Sequence, residues 1–277
     1  MTYSPQDIEP AQRPANAFGG GRNMRFASFR CISALILREM STRYGRSPGG
    51  YVWAILEPLG AILVLAMGFS LLLRTPSLGT SFLLFYATGY LPFQLYSNLA
   101  SLIARSINFS RALLSYPAVS WLDTVLARFL LNSMTSVLVA YILLAGILFF
   151  TDARTTLEVT PIIWSMGLAM LLGLGMGTLN CVVGGLWPVW DTIWGIAMRP
   201  LMIASGVLFL YEDLPTAAQN ILWYNPLMHV TGLMRQGFYP TYTASYVSEI
   251  FVLMTGVASL TLGLILMRRY HRALLER

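Results

Sequence analysis

The sequence predicts an all-α polytopic membrane protein: six transmembrane helices behind an amphipathic interfacial helix, with a re-entrant external helical hairpin before the last span. Three observations carry this reading. Of 277 residues, 56% are hydrophobic and 11% charged, whereas a soluble domain carries about 25% charged residues. Six apolar stretches are long enough to cross the roughly 30 Å hydrocarbon layer of a bilayer. The arginines gather at the ends of those stretches and not on one patch. The net charge of +6 is therefore read as positive-inside bias, and no nucleic-acid partner is expected.

In chain order, residues 1–23 are polar and rich in Pro, Gly and Asn, without the apolar core of a cleavable signal, and are read as a mobile cytoplasmic tail. Residues 24–47 are read as the interfacial helix. Phe29, Ile32, Ile36 and Met40 recur at helical spacing, arginines take other positions, and Glu39 stands one turn before Arg43 as a possible ion pair. Such a helix lies on a membrane with its arginines snorkelling toward headgroups. Pro48-Gly49-Gly50 breaks it, and the chain re-forms as an apolar helix carrying Glu57-Pro58. This elbow turns a surface helix into a crossing one.

The spans are read as Val52–Leu73, Phe82–Ala104, Val119–Phe150, Pro161–Leu186, Thr192–Leu210 and Val247–Met267, within a transmembrane domain of residues 48–270. Residues 271–277 form a cytoplasmic tail. Thirteen arginines fall in the N-terminal segment, the loop after the second span and the C-terminal end, against Arg74, Arg154 and Arg235 on the other side. Both termini are expected to be cytoplasmic. The cytoplasmic segment 105–118 predicts a short helix stopped by Pro117. The external segment 211–246 is too apolar for a solvated loop. Asn225-Pro226 has the form of an N-cap and a first-turn proline, so two short helices are expected, joined near Tyr224-Asn225.

Chemistry is sparse. All 18 basic residues are arginine, and without a lysine the chain cannot build a phosphate-cradling P-loop or a Schiff base. Cys31 and Cys181 form no CxxC pair, and the two histidines, His229 and His271, do not suggest a metal site. In the second span, Tyr86, Tyr90, Gln94, Ser97, Ser101 and Arg105 are spaced 4, 4, 3, 4 and 4, which keeps them on one helix face. Polar side chains are costly against lipid, so the stripe is either a helix-packing seam or the wall of a conduit. Glu57, Arg128 and Arg199 lie within spans, about 8–14 Å from the cytoplasmic ends at 1.5 Å per residue. They are read as a structural ion-pair set around a hydrated vestibule, with direct substrate contact as the alternative. The seven tryptophans mostly fit an interfacial belt, with an entry-portal role open to Trp53 and Trp121. Gly173, Gly175 and Gly177 inside the fourth span are read as close helix packing.

The plan resembles the permease subunit of type-2 ABC exporters. Two stretches narrow the match: Thr42-Arg43-Tyr44-Gly45-Arg46 through Gly50-Tyr51-Val52-Trp53-Ala54-Ile55-Leu56-Glu57-Pro58, and Ala112-Leu113-Leu114-Ser115-Tyr116-Pro117-Ala118-Val119 with Leu122-Asp123 and Ala127-Arg128. Both resemble capsular polysaccharide export inner-membrane proteins. O-antigen and teichoic-acid permeases share the plan but carry a Phe-Pro-Arg-Glu-type loop that is absent here.

The resemblance implies a homodimer in the bacterial inner membrane with two copies of a separate ATP-binding subunit, which would hold ATP and magnesium; this chain would bind no cofactor. It implies a lipid-linked acidic polysaccharide as substrate, handed to a periplasmic adaptor and an outer-membrane export protein. Arg105, Arg111, Leu113 and Tyr116 would belong to the helix that docks the ATPase, braced by Arg38, Arg43 and Arg46. A membrane-embedded transferase would need a carboxylate-rich catalytic face, and a secondary transporter would show repeated halves. Neither pattern is evident in the sequence.

Overall fold

The computed structural model describes residues 27–43, 49–114, 119–151 and 157–276. The predicted N-terminal tail, Pro48 of the elbow, Arg46, Tyr116 and the side chain of Arg43 lie outside the described residues. Among those described, the structure is all helical. The helices are α1 (Ala27–Arg43), α2 (Tyr51–Leu72), α3 (Phe82–Ala104), α4 (Ser106–Leu114), α5 (Trp121–Phe150), α6 (Val159–Leu186), α7 (Val189–Ala204), α8 (Thr216–Leu222), α9 (Pro226–Phe238) and α10 (Glu249–Glu276).

The helix α3 is the axis of the bundle, packed by α6, α5, α9 and α2. Fourteen of its residues are buried. Its seam with α6 depends on glycine. A Cβ at Gly173 would lie 2.8 Å from that of Leu99, and one at Gly177 would lie 2.7 Å from that of Ile103. Only hydrogen fits there, which confirms the packing role read for these glycines. On its other side α6 packs against α10.

Among the described residues four helices, α2, α5, α6 and α10, are long and apolar enough to cross a membrane. With 23 residues α3 has the length, but polar side chains dilute its hydropathy, while α7 has 16 residues. The predicted fifth span ran to Leu210, but α7 stops at Ala204 because Gly206 takes φ 71° and turns the chain. Most of the last predicted span, Val247–Met267, lies in α10, which continues to Glu276 through the residues read as a tail. The arginines that end the apolar run are good helix formers, so they end the hydropathy and not the helix.

Local signals place the remaining ends. Gly49 and Gly50 take φ 90° and 34°, the left-handed region in which a side chain is strained, and they open α2. The helix α5 starts on a capping box: Asp123 N–H donates to Ser120 Oγ and Ser120 N–H to Asp123 Oδ2, both at 3.1 Å. Asp123 is thus a cap. Asn225 serves two helices. Its Oδ1 accepts from Leu227 N–H at 3.1 Å at the start of α9, and its Nδ2 donates to Ala204 O at 2.9 Å at the end of α7.

Candidate functional site

Two polar regions stand out, one inside the bundle and one at its α1–α4 end. The first is a cavity of about 70 Å³ between α2, α3 and α5, room for a small cluster of waters. Glu57, Gln94, Asn98, Asn132, Thr135 and Ser136 supply its polar lining. Gln94 Oε1 is buried there without a hydrogen-bond partner, an acceptor that calls for a donor from whatever fills the space. Glu57 is exposed on this side of α2.

Of the predicted wall, only Gln94 and Glu57 line this cavity. Tyr86 is enclosed at 1% exposure, its ring 5.3 Å from Phe69 of α2 and 5.2 Å from Phe85. Tyr90, Ser97 and Ser101 are half-buried on α3. Asn98, Asn132, Thr135 and Ser136 were missed. The signal for the last three was the polar run Asn132-Ser133-Met134-Thr135-Ser136 inside an otherwise apolar span.

The second region overturns the proposed ion-pair set. Arg128 pairs with Glu39 of α1, Nε to Oε2 at 3.3 Å, and not with Glu57, and Arg199 stands exposed on α7. Glu39 in turn is engaged across the bundle; it is 4% exposed and Arg128 6%. Two buried charges in contact relieve each other's desolvation, which neither exposed group needs. Arg128 Nη1 donates to Leu102 O at 2.6 Å. Asn132 Nδ2 donates to Arg128 O at 2.8 Å and reaches Glu39 Oε1 at 3.5 Å. The guanidinium of Arg128 lies 4.2 Å from the centre of the Phe109 ring in α4, and that of Arg38 lies 5.1 Å from it.

The helix α4 itself realises the short helix expected in residues 105–118. It buries Ser106, Ile107 and Ser110 and leaves Arg105 and Arg111 exposed and Leu113 half-buried. Arg111 Nη2 donates to Leu275 O at 2.8 Å, tying α4 to the end of α10. Trp53 is 58% exposed on α2, where its indole nitrogen would be 3.3 Å from a Cβ at Gly49.

The expected pair of short helices in residues 211–246 is present as α8 and α9. His229 is held by backbone groups on both sides: Nδ1 accepts from Ser248 N–H at 3.1 Å, so the proton sits on Nε2, 2.7 Å from Trp223 O. Tyr242 donates to the Glu212 carboxylate, 3.1 and 3.0 Å from its two oxygens. Burial first, then the neighbouring Tyr246 and Glu212 groups, push the Tyr242 phenol up and keep it a donor. Arg235, counted among the external arginines, is buried in α9.

None of these clusters is a catalytic centre in form. Among the described residues no group of three or more His, Cys, Asp or Glu could hold a metal ion, and the cavity pairs one carboxylate with amides and hydroxyls. Such a lining binds hydroxyl groups by hydrogen bonds. The ABC-2 type transporter family matches residues 30–239, more than half of the chain.

The chain belongs to the ABC-2 type transporter membrane family.

Curated relatives within that family narrow the comparison. The polysialic acid transport protein KpsM of Escherichia coli is 32% identical over 88% of this chain and 95% of its own. The capsule polysaccharide export inner-membrane protein BexB of Haemophilus influenzae is 29% identical, and CtrC of Neisseria meningitidis 25%, each over 88% of this chain and 92% of the relative. The family match begins at Arg30 inside α1 and ends at Tyr239 just after α9, so it takes in both polar regions.

Proposed function

We propose that this chain is the permease subunit of an ATP-driven exporter that moves a lipid-linked, acidic capsular polysaccharide across the bacterial inner membrane. The observation that carries it is the 32% identity to KpsM over nearly the full length of both chains. ATP is hydrolysed by a separate subunit, in keeping with a chain whose 18 basic residues are all arginine.

In this reading α2, α3, α5, α6, α7 and α10 are the six spans, both termini are cytoplasmic, and α8 and α9 dip into the outer leaflet. Buried protein contacts around α3 shelter its polar side chains, and Gly206 lets the chain after α7 finish the crossing in irregular form. Glu57 on α2 and Arg199 on α7 are exposed in a single chain, and α7 has no buried residue. Charges at membrane depth need a partner or water. A second copy facing these helices would close a hydrated conduit between them, so the exporter is a homodimer. Two ATPase subunits dock on α4, where Arg105 and Arg111 are exposed, with Arg38, Arg43 and Arg46 bracing them. A periplasmic adaptor and an outer-membrane protein take over the polymer.

The test is purification of tagged full-length protein from its native membrane. An ATP-hydrolysing subunit should accompany it in a one-to-one ratio, and vesicles of the complex should take up lipid-linked polysaccharide in an ATP-dependent way. A chain recovered with no ATPase would overturn the proposal. Within the complex, replacing both Tyr90 and Gln94 with leucine is expected to lower export about tenfold, the loss of one to two hydrogen bonds, at an unchanged membrane level. Normal export by that variant would take α3 out of the conduit.

A further inference from the structure

We infer that Glu39, Arg128 and Phe109 form a positioning joint through which movement of α4 reaches the polar cavity. The inference rests on the reading of α4 as the ATPase-docking helix. Four elements meet at one guanidinium. Arg128 of α5 pairs with Glu39 of α1 at 3.3 Å, donates to Leu102 O in the last turn of α3 at 2.6 Å, and lies 4.2 Å from the ring centre of Phe109 in α4. Arg38, one residue before Glu39, lies 5.1 Å from the same ring. Movement of Phe109 therefore disturbs guanidinia from α1 and α5 together.

The route inward is short. Asn132 stands one turn beyond Arg128, donates to Arg128 O at 2.8 Å and reaches Glu39 Oε1 at 3.5 Å. Asn132 also lines the cavity, together with Glu57 and Gln94. One side chain is shared by the ion pair and the cavity wall. The chain Phe109, Arg128, Asn132, Gln94 thus runs from α4 to the cavity through direct contacts and a common wall.

Chemistry argues for more than adhesion. A buried ion pair gives little stability over apolar residues of the same volume, because desolvation offsets the attraction. What it adds is direction. The Arg128 guanidinium holds a carboxylate, a helix-end carbonyl and a ring face in one geometry, so displacing α4 breaks or keeps the set as a unit. Such a discrete element is what coupling between two sites requires.

The test uses the full-length chain in complex with its ATPase. The double variant Glu39→Met with Arg128→Met replaces both charges by apolar side chains, which a merely cohesive role would accept. The expected result is an unchanged membrane level, an ATPase still bound, ATP hydrolysis within about twofold of the unmodified complex, and export lowered about tenfold. Export within about twofold of the unmodified complex overturns the inference.

Phe109→Leu leaves the ion pair in place and removes only the ring, so it decides alone where the double variant fails to accumulate. It should lower export about fivefold with the ATPase retained, and unchanged export overturns the inference equally. Loss of the ATPase from Phe109→Leu, in step with export, also overturns it, since Phe109 would then hold the docking site and not transmit from it. An unmodified chain that recruits no ATPase refutes the docking premise instead, a result read before any variant is made.

Discussion

Arg128→Leu alone is expected to destabilise the chain by about 3–5 kcal/mol, the usual cost of stranding one member of a buried ion pair. The variant leaves Glu39, 4% exposed, with the amide of Asn132 at 3.5 Å as its remaining partner in this cluster. It also removes the donor from Leu102 O in the last turn of α3. Adding Glu39→Leu should restore most of the loss, because two leucines can pack where one carboxylate cannot be solvated. The measurement is thermal inactivation of the purified protein in detergent, compared as half-lives at one temperature because unfolding of such proteins is irreversible. A single variant as durable as the unmodified chain would mean that water reaches Glu39.

The partner of Arg128 shows where sequence reading stops. Helical periodicity finds neighbours three and four residues away, so Glu39 was offered Arg43, while its partner stands 89 positions along the chain. No local signal reports such a pairing. The same limit applies to the stripe on α3. Spacing correctly put Tyr86, Tyr90, Gln94, Ser97 and Ser101 near one face, but α3 is packed by α6, α5, α9 and α2. Residues of one stripe therefore meet different surroundings: Tyr86 an aromatic core, Gln94 a polar cavity.

What was legible was local. The N-cap at Asn225 and the close-packing glycines of α6 each act through their own backbone or nearest contact, and each is found in the role read for it; at the elbow, Gly49 and Gly50 open α2 with φ of 90° and 34°. The bounds of α3 were read to the residue, because hydropathy and helix end together there. Where they part, at Gly206 and after Met267, the apolar run and the helix end at different residues. The relatives KpsM and BexB match this chain over 88% of its length, so most of these local devices lie within the stretch shared with them.

Arg235→Met is the second large loss expected, again about 3–5 kcal/mol. Arg235 is 1% exposed in α9. Its Nη1 donates to Phe209 O at 2.9 Å, its Nη2 to Val207 O at 3.2 Å, and its guanidinium lies 4.3 Å from the centre of the Phe85 ring in α3. Methionine fills the volume but leaves two carbonyls without donors, at about 1–3 kcal/mol each, and removes the cation from the ring. Lysine keeps the charge without the planar fork that serves both carbonyls, so Arg235→Lys should recover only part of the loss. A second substitution reaches the same contact from the other side. A Cβ at Gly89 would stand 3.1 Å from Val207 O and 3.2 Å from Arg235 Nη2, so Gly89→Val should act in the same direction. The segment these groups hold follows the turn at Gly206 and fixes how α7 ends. Limited proteolysis of purified protein should therefore cut residues 205–225 faster in Arg235→Met than in the unmodified chain. Equal cleavage rates, with equal thermal half-lives, would show that α9 holds the end of α7 without this arginine.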